Sequence, residues 1–138
     1  MSYRALGHRV GILSRLFLKR INEKMMMTGI TGSQWSVIHR LRLYGTLTQT
    51  ELCQQLSIEG STVSKMIDSM EKSGWIRRTV DEKDKREKRV ALTDKAEKQF
   101  PIWLEMVTEL QQRGFTDISE EDIAGFDKVL DQLIKNLE

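Results

Sequence analysis

The sequence predicts a mainly α-helical chain with one small β-hairpin, in which short central helices and the hairpin are flanked by longer helices at both ends. Three observations carry this. Apolar residues recur at helical spacing along most of the 138 residues, with only one proline and nine glycines to interrupt them. Three helix-start signals, "TGSQ" (31–34), "TQTE" (48–51) and "SEED" (119–122), punctuate that pattern. And nine consecutive charged residues, "DEKDKREKR" (81–89), sit between two strand-like runs, "IRRTV" (76–80) and "VALT" (90–93).

Taken in order, residues 4–27 read as a long helix. Leu6, Val10, Leu13, Phe17 and Ile21 share one face, and Leu16 and Met25 widen it to about half the circumference. A stripe that wide expects two things to pack against, and "MMM" (25–27) reads as helix-end packing. The second helix opens at the 31–34 box, carries Trp35, Ile38, Leu41 and Leu43, and ends at "YGTL" (44–47). The third is short, with Leu52 and Leu56 on its core side. "SIEG" (57–60) leads into a fourth, residues 61–74, whose narrow core stripe is Val63, Met66, Ile67 and Met70. Its opposite face carries Ser61, Ser64, Lys65, Asp68 and Lys72, with Thr62 beside it, and Gly74 suits the position just past its end. A fifth helix runs from about Thr93 to Gln112 with a kink expected at Pro101. The last bears Ile123, Phe126, Val129, Leu130, Leu133, Ile134 and Leu137 on one side and charge on the other.

Composition narrows the function classes. With 39% hydrophobic and 30% charged residues the chain is globular rather than disordered. The longest apolar stretch, "VGILSRLFL" (10–18), is broken by Arg15, so no membrane partner is expected, and the N-terminus lacks the pattern of a secretion signal. Cys53 is the one cysteine, which excludes an intrachain disulfide and suits a cytoplasmic protein. On a core-facing helix it reads as a buried, inert thiol rather than a redox switch. His8 and His39 lack any accompanying ligand spacing, so neither metal nor cofactor is expected. There is no glycine-rich phosphate loop, no G-x-S-x-G and no H-E-x-x-H, which argues against an enzyme.

Net charge is only +2, but it is unevenly spread. Residues 1–45 hold eight Lys or Arg and one Glu, and residues 61–96 hold ten basic and seven acidic side chains. Residues 97–138 hold four basic and ten acidic ones. Ends of opposite sign can meet within or between chains, and the central basic excess can meet phosphate.

The span "LTQTELCQQLSIEGSTVSKMIDSMEKSGW" (47–75) has the pattern of a helix-turn-helix, and a hairpin directly after its second helix makes it a winged one. The outer face of 61–72 suits a major groove: small hydroxyls approach closely, and Lys65 reaches a guanine edge or a phosphate. A hairpin tip needs no core, so it can be all charge, and a protruding arginine can enter the adjacent minor groove. Asp84, two residues before Arg86, is placed to aim it. The competing readings are a merely solvated loop, a winged helix used for protein contact, and a pure dimerisation scaffold; salt-dependent binding to duplex DNA separates them.

The same residues resemble a known family. "GSTVSKMIDSMEKSGWIRR" followed by "DKR" and "VALT", together with "ITGSQWSVIHRL" and "GTLTQTELCQQL", is similar to the MarR family of bacterial winged helix-turn-helix transcriptional regulators over nearly the whole chain. The resemblance implies a homodimer whose first and last helices interlock, binding palindromic operator DNA, usually as a repressor. It also implies release by a small, often phenolic, effector in a cleft between the dimer helices and the winged region. The family's recognition-helix contacts fall on Ser61, Thr62, Ser64 and Lys65, and its Asp-x-Arg wing motif on Asp84 and Arg86. Arg77, Lys83, Lys85 and Lys88 are candidates for phosphate contacts; Phe17, Trp35, His39 and Trp103 are candidates for an effector pocket, against a plain core role. Two positions depart from the pattern. Ala96 stands where the family often has glycine, and Glu59 is a weak helix cap, so Ser57 is expected to cap in its place. The expected organisation is one domain over 1–138. Residues 1–30 and 112–138 are dimerisation helices, 31–96 the winged helix-turn-helix and 93–112 a connecting helix. Dimerisation also follows without the family, because two apolar terminal helices exceed what one short chain can bury.

Overall fold

The computed structural model describes residues 2–138. Among these lie six α-helices: α1 (Tyr3–Met25), α2 (Gly32–Tyr44), α3 (Gln49–Leu56), α4 (Gly60–Lys72), α5 (Asp94–Gly114) and α6 (Glu120–Leu137). The strands are β1 (Leu47–Thr48), β2 (Ile76–Val80) and β3 (Lys88–Leu92), and a single 3-10 turn, Met26–Thr28, follows α1. The chain divides into two compact units, Met1–Met106 and Val107–Glu138.

In the first unit each helix start has a local cause. Thr31 and Gln34 close a full capping box on α2, and Thr48 and Glu51 close another on α3, so each box satisfies two amides the helix itself leaves free. Gly74 (φ 82°) ends α4 in a left-handed turn: its amide donates to the Glu71 carbonyl and the Trp75 amide to that of Met70, both at 3.0 Å. That turn feeds directly into β2. The sheet runs β1-β3-β2, all antiparallel, with Ile76 opposite Leu92, Arg78 opposite Val90, and Leu47 opposite Val90 on the other edge. Strand β3 begins two residues inside the charged run, because Lys88 and Arg89 pair with Val80 and Thr79.

The core of this unit is closed by residues from every element around it: Met25, Ile30, Val37, Ile38, Leu41, Leu52, Val63, Ile67, Met70, Ile76 and Val90 are essentially inaccessible. Trp103 is completely buried, meets Trp75 edge-on at 4.9 Å between ring centroids, and donates its indole N–H to Thr28 Oγ1 at 2.9 Å. Helices α1 and α2 approach closely at Gly32, where a Cβ would lie 3.0 Å from Leu18 Cδ1 and 3.3 Å from backbone atoms of Leu18 and Asn22. The Gly32 amide donates to Asn22 Oδ1 at that crossing.

The structure corrects several expectations. Ser57 does not cap α4. It adopts a left-handed conformation (φ 52°) that closes α3, while Glu59 occupies the α4 N-cap without a side-chain cap bond. Leu43 is exposed because it lies off the face that Trp35, Ile38 and Leu41 bury. Of the three methionines at 25–27 only Met25 is buried, since the helix ends there and the following turn faces outward. Met66 and Cys53 are half-buried, each one helical step from a fully buried neighbour, Ile67 and Leu52. Ala96 fits: Thr93 Oγ1 accepts its amide N–H at 3.3 Å and its methyl is wholly enclosed.

The second unit is the end of α5, a tight turn through Asp117 (φ 62°), and α6, capped by Ser119 accepting the Asp122 amide. No residue of α6 is buried. Phe126, Val129, Leu133, Ile134 and Leu137 all stand exposed. An open hollow of about 330 Å³ is lined by Phe115, Ile123, Phe126 and Leu130 with Glu120 and Asp127 at its edge.

Candidate nucleic-acid interface

Helix α4 turns Val63, Ile67 and Met70 inward, so its 3.6-residue period turns Ser61, Thr62, Lys65, Asp68 and Lys72 outward. Ser64 is half-buried at the margin. No side chain caps the α4 N-terminus, which leaves first-turn amides and the positive end of the helix dipole facing solvent beside Ser61 and Thr62. That end attracts an anion.

The acidic residues of α4 are answered from the sheet. Arg78 on β2 donates to Asp68 at 2.8 Å and to Glu71 at 3.0 Å, and reaches Gln49 Oε1 on α3 at 3.4 Å. Its hydrogen bond to Glu71 holds that carboxyl below the usual carboxylate range, and the same bond raises the guanidinium's own pKa. One arginine thereby pairs with both carboxylates on the outward half of α4 and offsets part of their charge, and it also ties α3, α4 and β2 together. The helical period puts Asp68 on the solvent face but gives no role to Arg78, because neither the seven-residue separation to Glu71 nor the 29-residue one to Gln49 leaves a periodic trace.

In the wing, Asp84 and Arg86 form a two-pronged pair. Arg86 Nε donates to Asp84 Oδ1 at 3.1 Å and Nη2 to Oδ2 at 3.3 Å, while the Arg86 backbone amide also donates to Oδ1 at 3.0 Å. The Arg86 bonds lower the Asp84 pKa. The Arg86 side chain nonetheless remains 91% exposed, so it is aimed but not covered. Lys83, Lys85 and Lys88 are exposed around it. Arg77 is exposed at the wing's base, with Nη1 donating to the Leu92 carbonyl at 3.4 Å.

One member of the charged run departs from the all-solvated tip the sequence suggests. Asp81 is buried, with its side chain only 10% exposed. Its Oδ2 accepts the Asp84 amide at 3.0 Å and its Oδ1 accepts Arg89 Nε at 3.1 Å. Those two bonds, the amide's first, keep its carboxyl below the ordinary range.

The aromatic candidates do not share one environment. Trp103 is wholly inside the core, and Trp35 is buried and stacked on Phe100 at 5.5 Å. His39 is exposed with its ring 5.7 Å from Trp35, and burial of part of the ring, then Arg40, lowers its pKa. Phe17 is half-buried on α1. His8 is exposed on α1.

Known proteins share this fold. The model of the MarR family matches residues 30–88, the span from Ile30 into the start of β3. The "Uncharacterized HTH-type transcriptional regulator YwoH" of Bacillus subtilis (strain 168) is 38% identical over 128 residues, covering 91% of this chain and 93% of that one. The crystal structure of a MarR transcriptional regulator from Methanosarcina mazei Go1 superimposes with a TM-score of 0.89 at 26% identity, over 96% of each chain. Reduced AbfR bound to DNA superimposes with a TM-score of 0.80 at 27% identity, over 98% of this chain and 94% of that one.

Proposed function

The chain belongs to the MarR family of transcriptional regulators, and from that premise we propose that it binds palindromic operator DNA as a homodimer and represses transcription. It is a regulator and not an enzyme. The observation that carries the DNA-binding part is the pairing of two exposed elements of the right chemistry. Helix α4 offers Ser61, Thr62, Ser64 and Lys65 beside an uncapped N-terminus, and the wing offers Arg86 held by Asp84. In this reading the α4 residues read or flank bases in the major groove, and Arg86 enters the neighbouring minor groove. Arg77, Lys83, Lys85 and Lys88 contact phosphates. The DNA-bound relative AbfR supports the same partner.

The homodimer is supported by the unburied apolar faces of α1 and α6. Leu6, Val10, Leu13 and Leu16 on α1, and Phe126, Val129, Leu133 and Ile134 on α6, are exposed in the single chain at a cost that a second copy removes. The basic first helix and the acidic last one favour that pairing electrostatically. Two-fold symmetry then sets recognition helices about 34–36 Å apart, one turn of DNA. Control by a small aromatic effector rests on Phe17, the edge of Trp35 and exposed His39; Trp103 is enclosed and does not take part.

The test is a titration of a selected operator duplex over a range of salt with wild-type protein and Arg86→Ala. Wild-type affinity falls with a slope of several ions, and the variant binds all operators more weakly with the slope reduced by about one. Equal affinities and equal slopes overturn the wing assignment. Salt-independent binding, or none, favours a winged helix used for protein contact.

A further inference from the structure

Asp81 and Arg89 pose a question that the proposed contacts do not answer. Both belong to a run of nine charged residues, yet Asp81 is nearly enclosed and Arg89 is only 35% exposed. A hairpin tip that only reaches for phosphate gains nothing by covering a carboxylate, which loses hydration. What Asp81 and Arg89 do instead is connect. Arg89 Nη1 donates to Thr46 Oγ1 at 2.9 Å and to the Thr46 carbonyl at 3.2 Å. Arg89 Nε holds Asp81, and the other oxygen of Asp81 holds the Asp84 amide. Asp84 in turn holds Arg86. A second tie runs alongside: Thr50 on α3 donates its hydroxyl to the Glu87 carboxylate, and the Glu87 amide donates to the Asp84 carbonyl at 2.9 Å. Thr46 and Thr50 bracket Thr48, the N-cap of α3. The wing loop is thus fastened at two points to the start of the helix that braces α4, and Arg86 stands at the end of both lines.

We propose that Arg89 is a positioning residue for operator recognition, fixing through Asp81 and Asp84 where Arg86 meets the minor groove relative to the bases read by α4. This rests on the operator-binding reading above. The clasp makes the wing and the helix-turn-helix one rigid ruler, so it sets which operators satisfy both contacts at once. The fork geometry matters more than the charge: Arg89 serves Asp81 and Thr46 together, with donors at two angles, and a lysine ammonium offers a single point. Because its charge is already answered by Asp81, Arg89 itself neutralises no phosphate.

The experiment compares wild type, Arg89→Gln, Arg89→Lys, Arg86→Ala and the double variant Arg89→Gln/Arg86→Ala, with Thr46→Val as a milder break of the same clasp. First, hydrogen exchange of the 82–88 amides is read in the free protein, alongside thermal midpoints. Arg89→Gln, Arg89→Lys and Thr46→Val speed exchange in that segment while exchange in α4 is unchanged; no change in 82–88 overturns the clasp without reference to DNA. Second, operator affinity is read against salt. Arg89→Gln and Arg89→Lys each weaken binding about threefold, less than Arg86→Ala does, with the salt slope retained because the misaimed Arg86 charge stays beside the DNA. Arg89→Gln adds nothing further in the Arg86→Ala background. Full rescue by lysine, a slope lowered by one, or additive losses identify a direct phosphate contact and overturn the positioning role. If the exchange results hold but wild type selects no duplex, the operator reading fails and the role assigned to the clasp falls with it, while the clasp itself stands.

Discussion

The winged region and the terminal helices spend their apolar side chains in opposite ways. Between Ile30 and Leu92, large apolar residues from three helices and three strands converge until Val37, Ile38, Leu52, Val63, Ile67 and Val90 are wholly buried. In α1 only Met25 is buried, and in α6 nothing is. Hydrophobic periodicity alone does not distinguish the two, because α4 and α6 are both strongly one-sided. What differs is supply. The winged region brings a sheet, capped helix starts and a close glycine crossing to the same place, so its faces find partners within one chain. Helix α1 meets α2 at that crossing, but its stripe from Leu6 to Leu16 stays exposed, and α6 buries no residue. The lesson is that an apolar helical face states a need for burial and not where the burial comes from.

Breaking the terminal faces gives the largest expected effect. Phe126→Asp with Leu133→Asp puts two charges on the exposed α6 stripe. Sedimentation gives the monomer mass, and affinity for a two-half-site duplex falls by about a hundredfold or more as the bivalent contact is lost. Near-ultraviolet signals from buried Trp75 and Trp103 stay unchanged, since those rings belong to the winged unit. A variant that remains dimeric removes the contrast.

Next comes the winged core. Ile67→Ala empties a fully buried site between α4 and its neighbours and costs about 2–5 kcal/mol in denaturant unfolding. By comparison, Val129→Ala on exposed α6 changes the unfolding of an isolated monomer little and weakens dimerisation instead. At the wing, Arg86→Ala leaves folding intact, because its side chain is 91% exposed, and lowers operator affinity about tenfold, about 1.4 kcal/mol.

The smallest effect is pH dependence at His39. Its pKa is lowered in the folded chain, chiefly by burial, so the unfolded chain takes up a proton at higher pH than the folded one. Stability therefore rises with pH through the window just below the ordinary histidine value of about 6.5 and is lost on acidification through it. His39→Gln flattens that part of the stability profile; a profile unchanged by the substitution contradicts the assignment.

Legibility in the sequence followed the range of the forces involved. The boxes at Thr31–Gln34 and Thr48–Glu51 and the cap at Ser119 act over three residues and were readable as strings. So was Gly74, where a left-handed turn has to follow a helix. Strand β1 was not, because two residues carry no period and Leu47–Thr48 become a strand only by pairing with Arg89 and Val90. Ser57 does not cap α4, because the turn before that helix is too tight to leave it free of α3. Among the site residues, the Asp84–Arg86 pair spans two positions and was foreseeable. The burial of Asp81 was hidden inside a charged run, since it depends on Arg89 eight residues on, which is itself fixed by Thr46, 43 residues back. The same holds for Arg78, whose partners lie on two different helices.

The most direct test of the central claim is selection of duplexes from a random DNA pool by the purified full chain at moderate salt. The account predicts enrichment of a palindrome whose half-site centres lie about one helical turn apart, each half-site containing a narrow minor groove beside the bases read by α4. Enrichment of a single, non-repeated site, or no enrichment above salt-sensitive background, would contradict it.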